Sequence, residues 1–86
     1  MFFAVTAVQP LHNYLLQLTF KNGEQKVFDM KPHLEKGLFK DLKNEQLFNT
    51  AKISFDTVEW ANEADIDPET LYYGSVMNPD IRTKEG

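Results

Sequence analysis

Alternation of apolar and polar residues organises the first thirty positions of the chain. Phe3, Val5 and Ala7 fall on one face of an extended segment, and Tyr14, Leu16, Leu18 and Phe20 on one face of the next, which is the period of half-buried strands. Gln9 to Asn13, which contains Pro10, is expected to connect them as a loop. After Phe20 comes Lys21-Asn22-Gly23-Glu24, where Asn-Gly supplies the two positive-φ residues of a type I′ turn. A two-residue loop there places Lys21 opposite Glu24, Phe20 opposite Gln25, Thr19 opposite Lys26 and Leu18 opposite Val27. Leu18 and Val27 would then share the buried face, and Phe28 would turn with Leu15 to the other.

From Met30 the period changes. Pro32 sits near a helix start, Gly37 is a C′ stop, and Leu38, Phe39 and Leu42 supply an apolar stripe, so short helical turns are predicted. Asn44 caps a further turn through Glu45, Gln46, Leu47 and Phe48. Ala51, Ile53 and Phe55 alternate again, and a loop at Asp56-Thr57 makes a second hairpin with Phe55 meeting Val58 and Ile53 meeting Trp60. A closing helix runs from Pro68 to about Tyr73. Asp67 is its N-cap, Pro68 fits the first helical position, Ile66 reaches forward to Leu71 as a staple, and Gly74 terminates it. So short a helix is stable only through packing.

The expectation is an α+β fold: an antiparallel three-stranded meander, short helices, a second β-hairpin and a short closing helix. The 86 residues form one domain over 1–76, followed by a polar segment, 77–86, read as a mobile C-terminal tail. A 42% apolar composition supports a packed core. The absence of cysteine excludes disulfides and thiolate metal sites and fits a reducing compartment, so a cytoplasmic location is expected. The apolar N-terminus lacks the basic residue and cleavage pattern of an export signal, and no apolar run approaches the roughly 20 residues of a membrane helix. A net charge of -4 with lysines scattered singly among acids disfavours direct nucleic-acid binding.

Candidate chemistry is sparse. Asp65, Asp67 and Glu69 have the spacing that opens a calcium loop, but Thr70 stands where glycine is needed and Val76 where a bidentate glutamate is needed. His12 and His33 form no metal-ligand spacing, and Ser54 and Ser75 lack a nucleophile-elbow context. No catalytic residue, metal site or cofactor is therefore expected. Trp60, Tyr72 and Tyr73 are candidates for partner binding, the alternative being that Trp60 and one tyrosine pack in the core; one tyrosine is expected near the surface because neighbours on a helix point about 100 degrees apart. Phe3 and Val5 join them, since the strand from Phe3 to Val8 carries no charge to guard an exposed edge against pairing with a partner or a second copy.

Asn22-Gly23-Glu24, Phe28-Asp29 followed by Pro32, Gly37 and Phe39, then Trp60 and Asp65-Ile66-Asp67-Pro68-Glu69-Thr70-Leu71-Tyr72 resemble the bacterial domain-of-unknown-function family 2442 over roughly residues 4 to 73. The resemblance implies a small α+β domain, found alone or before a helix-turn-helix domain, and often encoded beside another small protein in arrangements like toxin–antitoxin pairs. It implies no catalytic residue. This chain departs from the usual pattern after the Trp, where Ala61-Asn62-Glu63 replaces Pro-Asn-Gly and a looser turn is expected. The expected function is non-catalytic protein binding or regulation, antitoxin-like in its pairing with a neighbouring protein. The alternatives are a small-molecule or ion sensor at Asp65 to Glu69 and, ranking lower, a minimal hydrolase using His33 with a carboxylate.

Overall fold

Strands β1 (Val5–Leu11), β2 (Leu15–Phe20) and β3 (Gln25–Asp29) form the antiparallel meander that the alternation predicts. The structure, a computed structural model, describes residues 3–77. Leu16, Leu18 and Phe20 point into the core, as do Phe3 and Val5. Ala7 does not, because a β-bulge between Val5 and Ala7 shifts the two-residue period and turns Ala7 outward while Val8 packs inward. Gln9 to Leu11 continue β1 rather than forming a loop, and Pro10 is tolerated there because β1 lies at a sheet edge. The chain reverses at His12–Tyr14, where Asn13 and Tyr14 take left-handed φ angles of 64° and 60°.

The β2–β3 register differs by one position from that of a two-residue loop. Thr19 pairs with Gln25, Leu18 with Lys26 and Leu16 with Phe28. The loop has three residues: Phe20 N–H donates to the Glu24 carbonyl at 2.9 Å, and Gly23 N–H to the Phe20 carbonyl at 2.8 Å. Gly23 supplies the left-handed conformation with φ 91°, while the Asn22 carboxamide oxygen accepts from Glu24 N–H at 3.0 Å. This is a type I turn closed by a left-handed residue rather than a type I′ turn. The extra residue brings Phe28 into the core with Leu16 instead of leaving it outside with Leu15.

Two short 3-10 segments follow, Lys31–His33 and Gly37–Lys43. Gly37, expected to stop a helix, instead opens the second of them with φ 48°; Leu42 is buried and Leu38 exposed. Helix α1 (Glu45–Phe48) begins as predicted, with the Asn44 side chain accepting from Gln46 N–H at 2.9 Å. A second, three-stranded sheet contains β4 (Lys52–Ser54), β5 (Thr57–Glu59) and β6 (Asp65–Ile66). Its first hairpin turns at Phe55 and Asp56, both left-handed, so Ile53 meets Val58 rather than Trp60 and Phe55 lies at the tip. Trp60 follows β5 into the core, where it is 1% exposed and its indole N–H donates to the Phe48 carbonyl at 2.9 Å.

The turn after Trp60 is closed, not loose. Trp60 N–H donates to the Ala64 carbonyl, Glu63 N–H to the Trp60 carbonyl, and the Asn62 carboxamide accepts from Ala64 N–H. These are the three hydrogen bonds of the Lys21-Asn22-Gly23 turn, repeated with Glu63 at φ 71° in place of Gly23. Helix α2 (Pro68–Gly74) then starts at Asp67, whose carboxylate accepts from Glu69 and Thr70 N–H. Leu71 is fully buried, with Ile66 in the same core. Strand β7 (Val76–Met77) pairs with β3 and gives the first sheet the order β1-β2-β3-β7. Met77, expected as the first residue of a mobile tail, is thus paired with Lys26; the rest of that expected tail, residues 78–86, lies outside the described residues.

Two substitutions test this packing. A Cβ on Gly74 would lie 2.7 Å from Cε1 of the buried Phe28 ring. Gly74→Ala is therefore expected to destabilise by about 1–3 kcal/mol through overpacking, even though alanine is about 1 kcal/mol the better helix former. Urea unfolding measures it, and a net gain would show that the ring yields freely. Glu63→Gly is expected to raise stability by up to about 1 kcal/mol, because glycine takes the left-handed conformation without the Cβ penalty. No gain in the same assay would mean that the Glu63 conformation carries no strain.

Candidate functional site

The C-terminal end of α2 gathers an aromatic cluster over one corner of the first sheet. The Tyr72 ring stacks on Phe3, with centroids 4.1 Å apart, and meets Phe20 edge-on at 5.0 Å. Lys26 Nζ lies 3.9 Å from the Tyr72 ring centroid and donates to the Tyr72 carbonyl at 3.1 Å. The three-residue turn makes this possible, since it places Glu24, Lys26 and Phe28 on the α2 side of β3. The Tyr72 hydroxyl donates to the Glu24 carboxylate. That bond, followed by one from the Asn22 carboxamide, holds Glu24 below the ordinary 4.5, with a smaller contribution from the Lys26 charge. The same bond raises the Tyr72 phenol above its ordinary 10.0.

Tyr73 is the outward member of the pair, at 73% exposure, whereas Tyr72 is half-buried. The Tyr73 ring sits edge-on to Phe3 at 5.3 Å and to Tyr72 at 5.5 Å, so it projects from a packed base. Met77, which pairs with Lys26 and thus lies on the same side of the sheet, is 51% exposed. Phe55, 97% exposed, tops the β4–β5 turn, whose Asp56 carbonyl accepts from Val5 N–H at 2.9 Å. The other partner-binding candidates are placed differently. Trp60, Phe3 and Val5 are buried, and their side chains build the core. The edge of β1 is blunted by the bulge at Thr6, by Pro10 and by the Asp56 contact at Val5.

The groups singled out for chemistry do not converge. Asp67 is committed to its helix cap, and among the described residues no three histidine or carboxylate groups are placed to hold a metal ion. His33 stacks on Phe28 at 5.3 Å, while Asp29 pairs with Lys31 at 3.1 Å and Glu35 with Lys43 at 2.7 Å. The Lys43 bond and charge hold the Glu35 carboxyl below its ordinary value. Ser75 is buried and donates to the Tyr72 carbonyl, and Ser54 lies in β4.

Sequence reasoning missed an open cleft of about 790 Å³ beside the β1–β2 turn, lined by His12, Asn13, Tyr14, Glu45 and Asn49 among others. Tyr14 is held there by its carbonyl accepting from Met30 N–H at 2.9 Å, by its hydroxyl on the Lys43 carbonyl, and by an edge contact with Phe48. The one signal for this turn was Asn13, a residue that tolerates left-handed φ.

The Glu24–Tyr72 bond predicts a pH dependence. A carboxylate with a depressed value contributes stability that is present above its unfolded value and lost as pH falls through the folded one. Tyr72→Phe, which keeps the ring and removes the hydroxyl, is expected to lower the thermal midpoint near neutral pH. The difference from wild type should narrow as pH falls below 4.5. A gap that stays constant through that range would mean the hydroxyl does not act through Glu24.

Among the described residues, no helix is long and apolar enough to cross a membrane. Neither the curated proteins nor the solved structures contain a match to the chain. A family model described as "Protein of unknown function (DUF2442)" matches residues 5–76, from the first residue of β1 to the first of β7, so the chain belongs to the DUF2442 family.

Proposed function

We propose that this protein is a non-catalytic, cytoplasmic protein-binding module that docks a partner on the surface formed by Tyr73 and Met77. The observation that carries this reading is the exposed Tyr73 ring, held edge-on by both Phe3 and Tyr72. An exposed aromatic side chain braced by its neighbours loses little rotamer freedom on binding, which is what an energetic anchor requires. The chain's net charge of -4 suits a partner with a basic surface. The bacterial gene arrangements implied by the resemblance to family 2442 point to a small protein encoded nearby, which this module would neutralise or regulate in the manner of an antitoxin.

The test is co-expression with the product of each adjacent reading frame, followed by calorimetric titration of any complex that co-purifies at fixed stoichiometry. The expected result is one such complex, weakened at least about tenfold by Tyr73→Ala, which corresponds to about 1.4 kcal/mol. Binding unaffected by Tyr73→Ala would remove this surface from the interface, and the absence of any complex would remove the neighbouring-partner reading.

A further inference from the structure

The face of the first sheet turned away from α2 has an unusual composition for this acidic chain. Across it run three rows: Ala7, Thr19 and Gln25; then Gln9, Gln17, Val27 and Val76; then Leu11, Leu15 and Asp29. The alternate residues Leu16, Leu18 and Phe28 build the core, whereas Leu11, Leu15 and Val27, half-buried within the sheet, and Val76 lie outside the core cluster. Val76 is 62% exposed. Among the described residues of these rows the one ionised side chain is Asp29, at a corner, and it is tied to Lys31. The whole chain carries 13 acids and 9 bases over 86 residues.

We propose that two copies of this protein pack these faces together, sheet on sheet, as a two-fold dimer. Charge favours a second copy here, because a chain of net charge -4 repels itself over its acidic surfaces, whereas the described residues of these rows bring only the paired Asp29 to this one. Hydrogen bonding favours it as well. In a two-fold contact the same patch meets itself, and the carboxamides of Gln9, Gln17 and Gln25 each carry donors and an acceptor, so they are self-complementary. Aligned sheets pack about 10 Å apart, which lets Leu11, Leu15, Val27 and Val76 meet their counterparts. A four-stranded face of this length buries on the order of 1,000 Å² in the pair, the lower bound of a specific interface, so the dimer is of modest affinity.

The mass from sedimentation velocity, followed from micromolar to millimolar protein, tests this. Wild type is expected to shift from monomer to dimer. Gln17→Lys should weaken dimerisation at least tenfold, with far-UV circular dichroism unchanged and the thermal midpoint unchanged at the low concentrations where wild type is monomeric. Gln17 is on β2, both of whose edges are already paired within the chain, so the variant reads face packing and not strand addition. Thr19→Lys on the same strand repeats the test should Gln17→Lys fold poorly, and Tyr73→Ala should leave the dimer intact, which separates this surface from the docking surface proposed above. A monomer at every concentration, or a dimer that withstands both lysine variants, overturns the proposal.

Discussion

The three-residue turn at Lys21-Asn22-Gly23 sets the geometry on which most of the other contacts depend. A loop one residue shorter would rotate every side chain of β3 to the opposite face. With the observed register, Phe28 enters the core beneath Gly74, Lys26 lies over the Tyr72 ring, and Glu24 accepts from the Tyr72 hydroxyl. Helix α2 has seven residues and cannot persist by itself, so its position is fixed by that row of three side chains together with Leu71. The loop thus determines where the last helix of the chain rests, some fifty residues downstream.

The same device closes the second sheet. Asn62 accepts from Ala64 N–H as Asn22 does from Glu24 N–H, and in each turn the residue after the asparagine is left-handed. Asparagine supplies a carboxamide that mimics a backbone acceptor, which locks the turn whether or not glycine follows. This explains how Ala61-Asn62-Glu63 keeps a tight geometry despite lacking the Pro and Gly of the usual family pattern. The strain moves to Glu63 instead of opening the loop.

Much of the fold was legible because its signals are local. The Asn44 and Asp67 caps, the alternation of β2 and the position of Pro68 each rest on residues within one turn of each other. Register was less legible, because Asn-Gly serves both two-residue and three-residue loops, differing in whether Asn also takes positive φ. The parity of Phe28 held the answer: a large aromatic beside an apolar strand is better buried, and only the longer loop buries it. The bulge at Thr6 left no comparable trace. The aromatic cluster was half legible, since helical geometry requires Tyr72 and Tyr73 to diverge, but nothing local marks Phe3 and Glu24 as their neighbours. Trp60 takes the core position that its place on the buried face of the second hairpin implied, although the backbone acceptor of its indole N–H, Phe48, is one that no sequence pattern announces.

The contacts that stabilise α2 also hold the docking surface, so stability and recognition are coupled in this fold. Tyr73 owes its orientation to Phe3 and Tyr72, and Tyr72 is fixed by Phe3, Phe20, Lys26 and Glu24. A small domain buries only about 60% of its unfolded surface and has little stability in reserve. Local opening of a helix as short as α2 costs less than global unfolding. Releasing it would free the Tyr73 ring and remove its preorganisation before the core of Leu16, Leu18 and Trp60 is disturbed. The outer sheet face depends on it less, because β2 is paired on both sides and the side chains of β1, β2 and β3 are set by the ladder itself; Val76 alone follows directly on α2. The two surfaces therefore differ in the part of the fold that maintains them: one follows the fate of a seven-residue helix, and the other that of the central sheet.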